Sequence, residues 1–196
     1  MKETIEEYLR RIQGHLAGQD PLKVMPGTAK KLGRLIAGVA ASKLRRRPAP
    51  KKWSAGEILA HIADTEMVLG WRIRQILALP GMPIQAFDQD AWALTGRYEK
   101  RDPRKSLEQF RVVRDANLAL LKSLTPEQWK QHCIHAERGV VTIEELVRWI
   151  AGHDINHIKQ VDAILVRKNA VKKIVGKKIV SRKVVSREFV AKKNNR

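Results

Sequence analysis

Thr142-Ile-Glu-Glu-Leu-Val-Arg-Trp-Ile-Ala-Gly-His-Asp-Ile-Asn-His157, continued by Ile158-Lys-Gln-Val-Asp-Ala-Ile164, is the stretch that decides the fold. Ile143, Leu146, Ile150, His153, His157, Val161 and Ile164 recur at spacings of three and four, the pattern of one helix face turned inward. Two histidines occupy the middle of that face. Residues four apart on a helix differ by about 40° in azimuth and roughly 6 Å in rise, so both imidazoles can reach one ion. Neutral imidazole ligates borderline divalent metals, whereas an unpaired polar ring on a buried face carries a desolvation cost. The plain alternative is a pair of core histidines satisfied by hydrogen bonds.

A second amphipathic stretch follows Ser54. There Ile58, Ile62, Thr65, Leu69, Ile73 and Ile76 form the apolar stripe, and His61 lies on its shoulder. A lone histidine in such a place is ordinarily structural. If the two helices face each other, however, it completes a three-ligand set with one position left open, as catalytic metal sites require.

Helix starts are marked by the capping-box patterns Ser54-Ala-Gly-Glu57, Ser106-Leu-Glu-Gln109, Thr125-Pro-Glu-Gln128 and Thr142-Ile-Glu-Glu145. They predict helices beginning near 54, 106, 126 and 142, with breakers at Pro80-Gly81 and Leu124-Thr-Pro126. A further helix is expected over 3–17 and a shorter one from Pro26-Gly27 to about Ala41. Segment 42–52 reads as a basic linker and 80–105 as a long connection. Strand-like alternation is absent from 1–164. Together these features predict an all-α protein: an antiparallel four-helix bundle with a long crossover connection.

The expected organisation is one bundle domain over 1–166 and a flexible, lysine-rich tail over 167–196. Of the net charge of +19, residues 165–196 carry +11, from twelve Lys or Arg against Glu188. The five-residue repeat from Val171 to Asn195 matches neither the helical nor the strand period. Such a tail predicts weak, non-specific contact with nucleic acid or another polyanion, or else a solubilising extension. The single cysteine, Cys133, allows no internal disulfide, which fits a reducing compartment. The first thirteen residues lack the apolar core of a signal peptide, and no apolar run is long enough to be a transmembrane segment. A cytoplasmic location is expected.

Five segments, in order, resemble the DinB-like superfamily and within it the YfiT-type branch of metal-dependent hydrolases. They are Trp53-Ser-Ala-Gly-Glu-Ile-Leu-Ala-His-Ile-Ala-Asp-Thr-Glu66, Phe87-Asp-Gln-Asp-Ala-Trp92, Ser123-Leu-Thr-Pro-Glu-Gln-Trp129, His135-Ala-Glu-Arg-Gly139 and Ala151-Gly-His-Asp-Ile-Asn-His157. The resemblance runs from about residue 3 to 166. It implies a four-helix bundle in which three histidines from two helices hold a divalent metal, and it falls on His61, His153 and His157. It also implies a homodimer and, in some relatives, transfer or isomerisation chemistry using low-molecular-weight thiols such as bacillithiol or mycothiol.

Other candidates surround these three. Asp64, one turn after His61, is placed to orient a ligand or to take a proton from water at the ion, with a capping carboxylate as the plain alternative. Arg72 and Arg74 are candidates to hold an anionic substrate such as a carboxylate, with ordinary surface or inter-helix pairs as the plain alternative. Trp92 is expected at the mouth of a pocket, and His135 matches a family position near the metal. Beside His132 and Cys133, His135 lacks the second Cys/His cluster that a structural zinc site needs.

The expected function is hydrolysis of a small substrate at a three-histidine site, with zinc as the default ion and nickel, iron or manganese also compatible. The rivals are a thiol-dependent S-transferase or isomerase at the same site and a non-catalytic metal-binding bundle whose basic tail associates with nucleic acid.

Overall fold

Helix α1 (Ile5–Leu16) opens on a capping box in which Thr4 Oγ1 accepts from the Glu7 amide while Glu7 accepts from the Thr4 amide. Short helices α2 (Pro21–Val24), α3 (Thr28–Ile36) and α4 (Ala41–Arg45) follow. The long helix α5 (Ala55–Ala78) starts on the predicted Ser54/Glu57 box. Strand β1 (Pro83–Ile84) and helix α6 (Gln89–Thr95) then lead across to α7 (Pro103–Lys122). Helix α8 (Pro126–Lys130) and the hairpin of β2 (His132–His135) and β3 (Gly139–Thr142) deliver the chain to α9, over 143–166. The computed structural model describes residues 3–166, so the tail expected over 167–196 lies outside the described residues.

Three sequence expectations are corrected. Helix α7 begins at Pro103, not at Ser106. Asp102 caps it by accepting from the amides of Arg104 and Lys105, and proline takes the first helical position, where its missing N–H costs nothing. Ser106 is buried in the following turn. Segment 42–52 is not wholly linker, because α4 buries Leu44 in the core. Strands also exist: β1 pairs parallel to β2, and β2 pairs antiparallel to β3, with Cys133 opposite Val141. Period-two hydropathy misses them because in β2 the apolar Ile134 points outward and the polar His135 inward.

The core is divided. Ile58, Leu59 and Ile62 of α5 pack with Leu32, Phe110 and Val161, whereas Leu69, Ile73 and Ile76 pack with Ile12, Leu118 and Leu146. Helices α5 and α7 therefore run the same way and α9 runs against both. Parallel neighbours cannot be joined by a tight turn, which explains the long crossover between α5 and α7. A buried polar layer lies between the two apolar clusters. In it Arg114 spans Glu66 at 2.6 Å and Asp154 at 2.5 Å, Thr28 donates to Asp154, and Asn117 donates to Glu66. No helix among the described residues is long and apolar enough to cross a membrane.

Candidate metal centre

Two helices, each fixed at its start, position the three histidines. Helix α5 is locked by the Ser54/Glu57 box, with Arg47 closing on the same Glu57 carboxylate. Residues 55–66 are buried without interruption, so His61 cannot turn to solvent. Helix α9 is capped by Thr142 and Glu145 at the point where β3 ends, which ties the sheet to the helix carrying His153 and His157.

The three imidazoles converge. His61 Nε2 lies 3.0 Å from His153 Nε2, which lies 2.9 Å from His157 Nε2. Exposures of 2 %, 7 % and 7 % place all three in the interior. An ion bonded at ~2.1 Å in tetrahedral geometry holds its nitrogens ~3.4 Å apart, so small outward shifts fit the cluster to a divalent metal. Hydrogen bonding alone satisfies it poorly. Gln160 Oε1, 2.9 Å from His157 Nδ1, accepts a hydrogen bond from it, which keeps the proton on Nδ1 and leaves the Nε2 lone pair aimed at His153. Trp53 packs against the His61 ring, centroid to centroid at 4.9 Å. Burial pushes His61 and His153 well below the ordinary histidine range, and it brings His157 down to about 4 against the opposing Gln160 contact. At neutral pH the cluster is thus three uncharged nitrogen donors meeting at one point, a set suited to zinc and its neighbours.

The other candidates divide around this cluster. Asp64 makes no hydrogen bond to His61; it accepts from Tyr98 Oη at 2.8 Å and from Arg101 Nη1 at 2.9 Å. Burial and the Asp64 carboxylate hold the Tyr98 phenol above its usual range. Arg72 donates to the Gln85 carbonyl and lies over the Phe87 ring, against which half-exposed Trp92 packs at 5.0 Å. Arg74 is turned to Gly70 and Asn117 instead. His135 is buried, its Nδ1 accepting from the Glu137 amide. Cys133 is also buried, which pushes its thiol up and removes it as a nucleophile.

Two cavities approach the histidines. One, of about 110 Å³, is lined by His61, His153, Thr65, Arg72, Arg138 and Trp149 among others. The other, of about 820 Å³, is lined by His157, Gln160, Trp53, Arg11 and Lys51. Sequence reading gave Thr65 a place in the apolar stripe and Arg138 one in a family segment, but no part in the site to either, nor to Gln160 or Trp149. Gln160 stands at helical spacing from His157 and was within reach of the stripe argument. Arg138 sits in the turn between β2 and β3, where only tertiary structure shows what it faces.

Residues 27–161 match the sequence profile of the DinB superfamily. The chain belongs to that superfamily. A Bacillus subtilis relative named "Putative metal-dependent hydrolase YfiT" is 25% identical over 143 residues, covering 71% of this chain and 80% of its own. An Oceanobacillus iheyensis relative named "Putative metal-dependent hydrolase OB0413" is 22% identical over 164 residues, covering 83% of this chain and 86% of its own. Among solved structures, YfiT, described as a four-helix bundle of unusual topology, superposes with a TM-score of 0.71 at 20% identity, over 86% of this chain and 91% of that one. A mycothiol-dependent maleylpyruvate isomerase superposes with a TM-score of 0.59 at 11% identity, over 72% of this chain and 59% of its own. Those two likenesses establish the shared bundle fold.

Proposed function

We propose that this DinB-superfamily protein is a metal-dependent hydrolase of a small substrate, with His61, His153 and His157 as the metal ligands. The observation that carries the reading is the convergence of three buried Nε2 atoms beside a cavity. A divalent ion held there supplies Lewis acidity toward a group entering the open position. The chain's own residues do the rest. Gln160 fixes the His157 tautomer, Trp53 and the buried start of α5 immobilise His61, and the apolar clusters above and below exclude bulk water. Asp64, with its oxygens held by Tyr98 and Arg101, orders the 98–101 turn behind the site.

The second cavity favours one further reading. Its size, and Lys51 and Lys52 at a wall where Arg11 is paired with Glu3 and Asp90 is the other acid, suit an acidic co-substrate such as a low-molecular-weight thiol, which would make the reaction a thiol transfer or isomerisation. Zinc-loaded protein assayed against ester, amide and lactone panels, with and without added bacillithiol or mycothiol, separates the two. Turnover without thiol supports hydrolysis, and turnover only with thiol supports transfer. No turnover in either arm, with zinc bound, leaves a metal-binding bundle without catalysis.

A further inference from the structure

The cavity beside His61 and His153 collects hydrogen-bond donors that the protein leaves unused. Arg72 Nε, Arg138 Nε, Thr65 Oγ1 and Trp149 Nε1 are all buried without a hydrogen-bond partner among the described residues, and all four side chains line this one cavity. Among the described residues, the one hydrogen bond from the Arg72 side chain goes to the Gln85 carbonyl. Arg138 lies 4.8 Å from the Trp149 ring centroid, and its side chain makes no hydrogen bond or ion pair among the described residues. Arg114, more deeply buried than either, also leaves its Nε unpartnered but is neutralised by two carboxylates, which Arg72 and Arg138 are not.

A buried donor left unmet forfeits its hydration with nothing in return, so four around one space call for an acceptor. Glu137, exposed at the turn, is near enough to act on both guanidiniums by charge, but among the described residues it makes no hydrogen bond or ion pair to either, so the two still call for a negative acceptor inside the cavity. Burial, and next to it the charge of Arg138, already disfavour the Arg72 cation. The remaining wall is apolar, with Phe87, Val68 and Ile150. At about 110 Å³ the cavity is the smaller of the two beside the histidines, a size for a short organic acid rather than a nucleotide.

We propose that this cavity is an anion subsite: it seats the carboxylate of a small organic acid between Arg72 and Arg138, with Thr65 and Trp149 as further donors and the apolar body against Phe87. Guanidinium forks match carboxylate geometry in a way that point charges do not. The inference rests on the metal-site reading for its claim that the acid is a substrate. The binding itself depends only on the donors.

Calorimetric titration of the full chain, zinc-loaded and metal-free, tests it with benzoate, with benzamide as an uncharged analogue, and with inorganic phosphate. Benzoate is expected to bind once per chain, with benzamide at least tenfold weaker. Arg138→Gln and Arg72→Gln are each expected to weaken benzoate at least tenfold with zinc content unchanged. Arg138→Lys, which keeps the charge and loses the fork, should fall between. If Arg72→Gln does not fold, Arg138→Gln carries the test from its position in a turn. No benzoate binding, equal affinity for benzoate and benzamide, phosphate bound in place of benzoate, or unchanged benzoate affinity in Arg138→Gln would each overturn the proposal. Benzoate binding without zinc retention would retire the metal reading and leave the anion site standing. Zinc retention without benzoate binding would do the reverse.

Discussion

At His157 the two nitrogens of one ring have separate tasks: Nδ1 donates a hydrogen bond to Gln160, and Nε2 turns its lone pair toward His153 and His61. The proposed metal affinity therefore depends on a residue that is not itself a ligand. Gln160→Ala is expected to leave the fold intact and to weaken zinc binding about 10–100-fold, read by competition with a chromophoric chelator. An unchanged affinity would show that helix packing alone sets the ring. The histidine pair was legible in the sequence because a buried stripe tolerates polar rings only when something meets them. His61 was less so, since its place on the stripe's shoulder gives no sign of the nearly complete burial that the start of α5 imposes. Arg138 and Trp149 were not legible as a pair, because a turn residue and a helix residue met only through the β2–β3 hairpin.

Between helices, two contacts hold the site's frame. A Cβ at Gly152 would lie 2.2 Å from the Ile12 carbonyl oxygen, so α1 and α9 meet backbone to backbone one residue before His153. Backbone cannot swing aside as a side chain can. Gly152→Ala is expected to cost about 1–3 kcal/mol, seen as a fall of several degrees in Tm. A stability equal to wild type would mean that α1 is free to shift. In the polar layer, Arg114 ties α7 to Glu66 of α5 and Asp154 of α9. Arg114→Met leaves two buried carboxylates unpaired, and urea unfolding should show a loss of about 3–5 kcal/mol. Helical spacing places Asp154, next to His153, off the histidine stripe. It lies there, and its burial against α7 is what a single-helix reading could not supply. The same limit explains Ser106, whose capping-box pattern lies inside a helix already begun at the Asp102-Pro103 pair.

Over the whole molecule, the arrangement is two apolar clusters with a polar layer between them, and the proposed metal centre sits where that layer reaches the cavities. Periodicity and capping made the four long helices legible. The small sheet was not, because its strands of two to four residues are shorter than any alternation that hydropathy can register. The basic stretch over 167–196 is legible as sequence charge only. If it engages polyanions, a chain ending at residue 166 should lose retention on heparin at low salt while keeping the helical circular-dichroism signal, and equal retention would assign the charge no such part. The central claim concerns the three histidines, and metal content per chain tests it most directly. After loading with zinc and gel filtration, wild type is expected to hold one ion per chain by plasma mass spectrometry, and His157→Ala, still helical by circular dichroism, to hold almost none. Equal stoichiometry in the two proteins, or a wild type that retains no metal, would contradict it.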